Sequence, residues 1–515
     1  MSEQRAVDVA QRLVGLLLGR GVTDVVLSPG SRSGPLALAL HAADQQRLLR
    51  LHVRVDEREA AFLALGLAKA SQRPVPVMTT SGTAVANLHP GLLEALHAQV
   101  PVLAVTADRP ARLRGTGANQ TTDQRAIFPG IPYVDGLDRL PAVWTHGPAH
   151  LNLELDEPLV EPIAWEFAPQ EWQTDVAPRA VTRLPGGPRT VVVAGDDSGP
   201  EAAELAERAG WPLLADPSSG ARFGPNALTA YRLLLAQESL SGAVERVVSF
   251  GHATLSRPVT RLLSRTDIDI VHIGDQSTFP GPATANVRFA EGVEPEAAGD
   301  EAWLAAWQEA DERVVAALPA APVFEVARAV WDAVGEDGLL YVGSSNPVRD
   351  LDLVARPASA ARLVLANRGL AGIDGVPASA IGAALAQAER RAIAYLGDLT
   401  FLHGSNGLLI GPSEPRPDLT IVVASDDGGS IFSTLEQGAP EYAAAFERVY
   451  ATPTGADIAA LCAGYRVPHR RVAPGDLTAA LAEPCAGLRV LEVPVPRHDR
   501  RALAEACARA ARDAV

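Results

Sequence analysis

Two acidic turns, 28 positions apart, are the features of this chain best suited to chemistry. Gly397-Asp398-Leu399 directly follows the apolar run Tyr395-Leu396, and Asp426-Asp427-Gly428-Gly429 follows Ile421-Val422-Val423 closely. In an open parallel sheet, the loops at the carboxyl ends of the strands form the ligand crevice. Two carboxylates on neighbouring loops there suit Mg²⁺, a hard cation that takes oxygen ligands and keeps phosphate oxygens in its shell. The glycines let the backbone approach a ligand closely. Two ordinary acidic turns after strands would leave the same local pattern.

Glu57 sits where an alternating strand meets an Ala/Leu-rich helix. Partial desolvation by that helix would raise its pKa and suit it to proton exchange; a helix N-terminal charge complementing the dipole is the plainer alternative. Ser28-Pro29-Gly30-Ser31-Arg32-Ser33-Gly34 follows one short strand and precedes a helix, and Ser81-Gly82-Thr83-Ala84-Val85-Ala86-Asn87 repeats that layout. Backbone N–H groups, hydroxyls and a guanidinium there could bind an anion, or each could be a capped helix start. Arg109, Arg257, Arg349 and Arg368 stand outside obvious helix faces. A dianionic substrate is repelled at long range by an acidic protein, so its site needs local bidentate arginine–carboxylate contacts.

The elements that would position these residues alternate between helix and strand. Residues 5–20 have helical apolar spacing, Val25-Val26-Leu27 is a buried strand, and Leu49 to Val55 alternate apolar and polar. A helix over about 58–70, strands at 75–78, 102–105 and 151–155, and a helix over 35–42 complete the first segment. Residues 165–189, rich in Pro, Arg and Thr, read as a linker. A second segment has strands at 190–195, 247–251 and 268–273, and the acidic, Ala-rich stretch 290–320 reads as a solvated helix and connection. The third has strands at 339–342, 392–396, 419–423 and 488–493. The expectation is an α/β chain of three domains, 1–180, 190–310 and 320–515, each a mostly parallel sheet flanked by helices.

Composition narrows the function. The 515 residues carry 45 basic and 61 acidic side chains, a net charge of −16. That excludes nucleic acid or an anionic membrane as the main partner, because both need a positive surface field. Lys69 is the only lysine, so any anion site must be built from guanidinium groups. Cys462, Cys485 and Cys507 have neither metal-ligand nor disulfide-framework spacing. No apolar run is long enough to span a membrane, and the first 20 residues lack a signal-peptide layout, so a cytoplasmic protein is expected.

Together these pieces resemble thiamine diphosphate-dependent enzymes. Their cofactor signature is a Gly-Asp pair and, fewer than 30 residues on, an Asn-rich turn, here Gly397-Asp398 and Ser425-Asp426-Asp427-Gly428-Gly429. Gly147-Pro148-Ala149-His150-Leu151-Asn152 resembles the segment closing their pyrimidine-binding domain, and Asp56-Glu57-Arg58 sits where their activating glutamate sits. Further blocks are similar to the 2-succinyl-5-enolpyruvyl-6-hydroxy-3-cyclohexene-1-carboxylate synthase family, carboligases of menaquinone or phylloquinone biosynthesis. They are Ser28 to Ser33, Thr80 to Asn87, Thr106-Ala107-Asp108-Arg109-Pro110, Gly117-Ala118-Asn119-Gln120, Asn367-Arg368-Gly369, Gly372-Ile373-Asp374-Gly375 and Gly428 to Phe432. The resemblance runs the whole chain and is thinnest in the middle, around Ser256-Arg257-Pro258.

The resemblance implies a homodimer with thiamine diphosphate between subunits, the first domain of one chain holding the pyrimidine and the third domain of the other the diphosphate; a dimer of dimers stays open. It implies a metal held by Asp398, Asp426 and the Gly428 carbonyl, and Glu57 as the catalytic group on the pyrimidine N1′. Further cofactor contacts would come from Ser81, Gly82, Gly397, Leu399, Ser430 and Ile431, with Ile373 as an apolar wedge. The substrates would be 2-oxoglutarate and isochorismate, held by Ser31, Arg32, Arg109, Gln120, Arg257, Ser345, Arg349 and Arg368, with Ile431, Phe432 and Leu435 as an apolar wall. Which arginine meets which carboxylate stays open. The chain has Gly-Asp-Leu, usual in this family, where many thiamine enzymes have Gly-Asp-Gly, and Ser425-Asp426 in place of an Asn pair. The added negative charge leaves Mg²⁺ and Mn²⁺ both open. Another thiamine enzyme, such as an acetolactate synthase or 2-oxoacid decarboxylase, and a catalytically silent nucleotide-binding α/β protein are the competing readings.

Overall fold

Short apolar runs buried on both faces make the central strands, such as Val75–Thr79 and Val102–Asp108, and Ala/Leu-rich helices cover them. The computed structural model describes residues 5–169 and 179–515. The first sheet contains β1 (Asp24–Leu27), β2 (Arg50–Val53), β3 (Val75–Thr79), β4 (Val102–Asp108), β5 (Tyr133–Val134) and β6 (Ala149–Glu154), in the order β2-β1-β3-β4-β6-β5. Every ladder in it is parallel. All seven residues of β4 are buried, as expected where helices cover both faces of a sheet.

Two compact units account for the chain. One contains residues up to 176 together with 369–389 and 403–417, and the other contains 177–368, 390–402 and 418–515. In the first unit the helix Glu57–Ser71 starts at Asp56, whose carboxylate accepts from the Arg58 and Glu59 amides at 3.0 and 3.3 Å. It crosses the helix Val376–Ala386 at backbone contact: a Cβ on Gly66 would lie 1.9 Å from the Ser379 carbonyl oxygen, and one on Gly382 2.3 Å from that of Leu63. Phe62 faces Gly375 and Ala70 accepts from Gln387, so the two helices run in the same direction. Their N-terminal ends, carrying Glu57 and, just upstream, Ile373, therefore lie at the same end of this pair.

The second unit holds three further parallel sheets. β7 (Val181–Leu184) pairs with β13 (Gly292–Pro295). β8 (Thr190–Ala194), β9 (Leu213–Ala215), β10 (Arg246–Phe250), β11 (Asp269–Ile273) and β12 (Val287–Ala290) form the order β12-β11-β10-β8-β9. β14 (Leu339–Val342), β15 (Leu363–Leu365), β16 (Ala392–Gly397), β17 (Leu419–Ser425), β18 (His469–Arg471) and β19 (Leu488–Pro494) form β15-β14-β16-β17-β19-β18. The buried Arg222 ties β9 to the helix Asn346–Val354, donating to the carbonyls of Ala215, Asp352 and Ala355 at 2.6, 2.9 and 2.8 Å.

Two readings of the sequence need correction. The stretch 290–320 is not a solvated helix: Glu301–Ala317 buries Trp303, Trp307, Ala310 and Val314, a helical stripe hidden by the acidic composition around it. Its Asp311 accepts from the Thr229 and Ala230 amides at 3.0 and 2.6 Å. The expected linker 165–189 contains β7, and its residues 170–178 lie outside the described ones. The three cysteines are free thiols. Among the described residues no helix is long and apolar enough to cross a membrane.

Candidate active site

Asp398, the first residue of the helix Asp398–His403 directly after β16, meets the turn after β17. Asp398 is 5% exposed; its carboxylate accepts from its neighbour's amide at Leu399 at 2.7 Å and from the Gly428 amide, across the loops, at 3.1 Å. Asp426 accepts from the Ser430 hydroxyl, and Ser430 in turn accepts from Asn346 Nδ2 at 2.6 Å. Burial, together with the negative charge of Asp398, pushes the Asp426 carboxyl up to about 7. Burial raises Asp398 as well. One Asp426 oxygen, Oδ1, is buried with no hydrogen-bond partner. A Cβ on Gly397 would touch nothing within 4 Å, so that glycine leaves open space beside the carboxylates.

That donor set fits a hard cation carrying a diphosphate. Two mutually repelling carboxylates and an orphaned buried oxygen are relieved by an oxygen-seeking ion. Among the described residues no group of three or more His, Cys, Asp or Glu could hold a metal alone. The protein would thus supply two carboxylates and leave the remaining positions to groups such as phosphate and water.

Nearby in the same unit, a guanidinium cluster forms. Arg368 is 4% exposed and donates to Thr254 Oγ1 at 3.3 Å. Burial and the positive charges of Arg368 and Arg232 push the Arg349 guanidinium down to about 10. Arg349 donates to the Ser345 carbonyl at 2.7 Å, and Ser345 holds a left-handed backbone, φ +74°, at the start of the helix Asn346–Val354. Such a conformation in a non-glycine residue costs about 1–3 kcal/mol and clusters at ligand sites. Arg257 lies differently: it is exposed and forms a bidentate pair with Glu436, at 2.8 and 3.1 Å, next to Leu435. Ile431, Phe432 and Leu435 are half-buried in the segment after Ser430.

In the first unit the strand-end turns interlock. A Cβ on Gly30 would lie 2.3 Å from Thr80 Cβ, so the turns after β1 and β3 touch. Arg109 donates to Ser81 Oγ at 2.6 Å and to the Gln120 carbonyl at 2.8 Å, and Gln120 is itself left-handed, φ +52°. Burial and the charge of Arg32 lower the Arg109 guanidinium, so the two cations are close enough to repel. Arg32 donates to the Leu155 carbonyl at 3.0 Å, while Ser31 is exposed. Glu57 is half-buried and accepts from Asn87 Nδ2 at 3.1 Å. Ser31, Arg32, Glu57, Ser81, Gly82, Arg109, Gln120 and Ile373 belong to this unit; the other predicted site residues belong to the second.

Sequence reasoning passed over Glu59 in the same turn. It is 1% exposed, and burial pushes its carboxyl up to about 8, against the attraction of Arg58 and with the repulsion of Asp56 and Asp374. A folded-state value above the unfolded one means the folded protein holds the extra proton, so stability falls as pH rises from about 4.5 towards 8. A Glu59→Gln variant is expected to flatten that decline, melting above wild type at pH 8 and losing the advantage by pH 5. Parallel melting curves across that range would show that Glu59 titrates normally.

The matches to known proteins fall on these same elements. Residues 7–127 match the family described as "Thiamine pyrophosphate enzyme, N-terminal TPP binding domain", and residues 354–493 match "Thiamine pyrophosphate enzyme, C-terminal TPP binding domain". A 2-succinyl-5-enolpyruvyl-6-hydroxy-3-cyclohexene-1-carboxylate synthase of Nocardioides sp. (strain ATCC BAA-499 / JS614) is 50% identical, covering 98% of this chain and 97% of the relative. The chain belongs to this synthase family. Synthases of Kineococcus radiotolerans and Nocardia farcinica are similar at 47% and 43% identity, with 98% and 96% of this chain covered and 99% and 97% of the relatives. Membership in the synthase family gives the two matched regions their chemistry: each is a thiamine diphosphate-binding domain, one containing Glu57 and the other Asp398 and Asp426. Sequence reasoning about the synthase missed Asn87 as a partner of Glu57. It lay in a quoted motif, but its partner is 30 positions away.

Proposed function

We propose that the chain decarboxylates 2-oxoglutarate and joins the resulting succinyl unit to isochorismate by conjugate addition, giving 2-succinyl-5-enolpyruvyl-6-hydroxy-3-cyclohexene-1-carboxylate and CO₂ in menaquinone biosynthesis. The observation that carries this reading is the clustering of guanidinium groups in a chain of net charge −16: Arg32 with Arg109, and Arg349 with Arg368. Like charges held together cost energy that carboxylates return, and two multiply charged acids need such sites.

In this reading Glu57, oriented by Asn87, exchanges a proton with the pyrimidine N1′. Asp398, Asp426 and the Gly428 carbonyl would hold Mg²⁺ or Mn²⁺, which would neutralise the charge of the diphosphate. Bound thiamine diphosphate supplies the electron sink that accepts the electron pair freed by loss of CO₂. Ser81, Gly82, Ile373, Gly397, Leu399, Ser430 and Ile431 shape the cofactor's bed. Ser31, Arg32, Arg109, Gln120, Arg257, Ser345, Arg349 and Arg368 bind carboxylates and hydroxyls, with Phe432 and Leu435 as the apolar wall. For Arg257 this requires release from Glu436. Three functional domains, 1–180, 190–310 and 320–515, serve a homodimer in which the pyrimidine side of one subunit meets the diphosphate side of its partner. The protein works in the cytoplasm.

The test is an assay with thiamine diphosphate and Mg²⁺, supplying 2-oxoglutarate with and without isochorismate, and pyruvate separately. Product and CO₂ in step, only with both acids, support the proposal; acetolactate from pyruvate with no reaction of the acid pair overturns it. Arg349→Ala and Arg368→Ala are each expected to raise a substrate KM, losing about 2–5 kcal/mol if a buried charge pair is broken. An unchanged KM for both acids in either variant would take that arginine out of substrate binding.

A further inference from the structure

We infer that Gln124, backed by Asn152 and Asp108, is a positioning residue that locks the Ser81–Gly82 turn and Arg109 in place. Its importance for turnover rests on the functional reading above. Thr106, Asp108, Gln124 and Asn152 are fully buried, at 0% exposure, beneath the turns after β3 and β4. The donors and acceptors among them leave one arrangement. Gln124 Oε1 accepts from the Gly82 amide at 3.0 Å, so its Nε2 faces inward and donates to Asn152 Oδ1 at 2.8 Å. Asn152 Oδ1 also accepts from the Thr106 hydroxyl at 2.7 Å, and Asn152 Nδ2 donates to Asp108 Oδ2 at 2.9 Å. The Thr106 proton being committed, His150 Nε2, 2.7 Å from that hydroxyl, must be the donor of its contact.

The chain ends on the groups that face the ligand. Asp108 accepts from the Arg109 amide at 2.7 Å and from Arg114 at 2.9 Å, fixing the backbone from which Arg109 reaches Ser81 and Gln120. Gly82 adopts φ +83° and ψ −135°, and a Cβ there would lie 3.4 Å from Gln120. The Gly82 amide is buried in this unusual conformation and has Gln124 Oε1 as its partner. A buried donor stripped of its partner pulls strongly towards water, so without Gln124 the turn opens and takes Ser81 with it.

The experiment compares Gln124→Met and Gln124→Glu with wild type in the full-length, cofactor-loaded protein. Methionine keeps the length and removes all three hydrogen bonds of the Gln124 side chain, to the Gly82 amide, to Asn152 Oδ1 and, at 3.3 Å, to the Ala107 carbonyl. We expect amide hydrogen exchange at Gly82 to speed up by at least about tenfold and kcat/KM for carboligation to fall by a similar factor. Glutamate is a sharper probe. Ionised, it cannot donate to Asn152 and adds a second charge beside Asp108; protonated, it restores the donor and the acceptor. Its activity relative to wild type should therefore recover as pH is lowered, which a residue that merely fills space would not do. Wild-type exchange at Gly82 in Gln124→Met, or a Gln124→Glu profile parallel to wild type, overturns the inference. If Gln124→Met does not fold, the glutamate profile decides. If wild type makes no product from the acid pair, the functional reading falls, and the Gly82 exchange comparison still decides whether Gln124 holds the turn.

Discussion

Replacing Glu57 by glutamine should leave thiamine diphosphate binding nearly unchanged and reduce kcat by about 10²–10⁴-fold, the range for a positioned acid–base group. The argument is geometric. Glu57 is the first residue of its helix, fixed by the Asp56 cap, and one of its oxygens accepts from Asn87 Nδ2 at 3.1 Å. Glutamine has the same shape and can still accept that hydrogen bond through Oε1. What it cannot do is accept and return a proton. Binding and turnover should therefore separate, with cofactor affinity followed by near-ultraviolet circular dichroism and turnover by product formation from 2-oxoglutarate and isochorismate. A kcat near wild type would remove Glu57 from the mechanism. Equal loss of affinity and turnover would instead mean that the carboxylate only holds the cofactor.

The expectations that survived rest on local patterns. Ala392 to Leu396 and Leu419 to Val423 are largely apolar runs, and both are strands, with Asp398 opening a helix at the carboxyl end of one and Asp426-Asp427 in the turn after the other. The Ala/Leu run over about 58–70 reads as a helix, and the helix runs Glu57–Ser71. What escaped has partners far away in sequence. β7 is four residues long and gains its identity from pairing with β13, some 110 positions on. The helix Glu301–Ala317 hides its Trp303–Trp307 stripe in an acidic, Ala-rich composition, so averaging over the segment gives the wrong environment. Segment 369–389 joins the first unit through the bare backbone at Gly66 and Gly382, and segment 403–417 through bonds such as Asn406 Nδ2 to Asp56 and the Val53 amide to Glu414; no hydropathy pattern records either approach.

The candidate site divides in the same way. Residue types were legible, because a Gly-Asp pair or a lone arginine announces itself, but the elements carrying two of the arginines were not: Arg349 lies within the helix Asn346–Val354 and Arg257 begins the helix Arg257–Leu263, where both were expected outside helix faces. Nor was environment. That Asp426 keeps an unpartnered buried oxygen, that Arg349 is crowded by Arg232 and Arg368, and that Glu59 is buried beside Glu57 all depend on chain segments that meet only on folding. Burial sets the energetics, since the same carboxylate is inexpensive in water and costly in a dry crevice.

Asp398 offers the other large effect, and it has two signs. In Asp398→Asn the side chain can still accept a backbone amide hydrogen bond, in place of the pair from Leu399 and Gly428, but the negative charge beside Asp426 is gone. Without cofactor the variant is expected to melt no lower than wild type, because two crowded carboxylates become one. With thiamine diphosphate and Mg²⁺ the order should reverse. A ligand at 100 times its Kd stabilises a protein by about 2.7 kcal/mol, and removing one member of a buried charge pair typically costs about 3–5 kcal/mol, or roughly 10²–10⁴ in affinity. The ligand-induced rise in Tm should then nearly vanish in Asp398→Asn while persisting in wild type, with Mn²⁺ run in parallel to rank the two metals. A variant that gains as much Tm as wild type from cofactor and metal would place the ion elsewhere. A variant that melts well below wild type before any ligand is added would mean that the Asp398 hydrogen bonds, and not its charge, are what the fold retains.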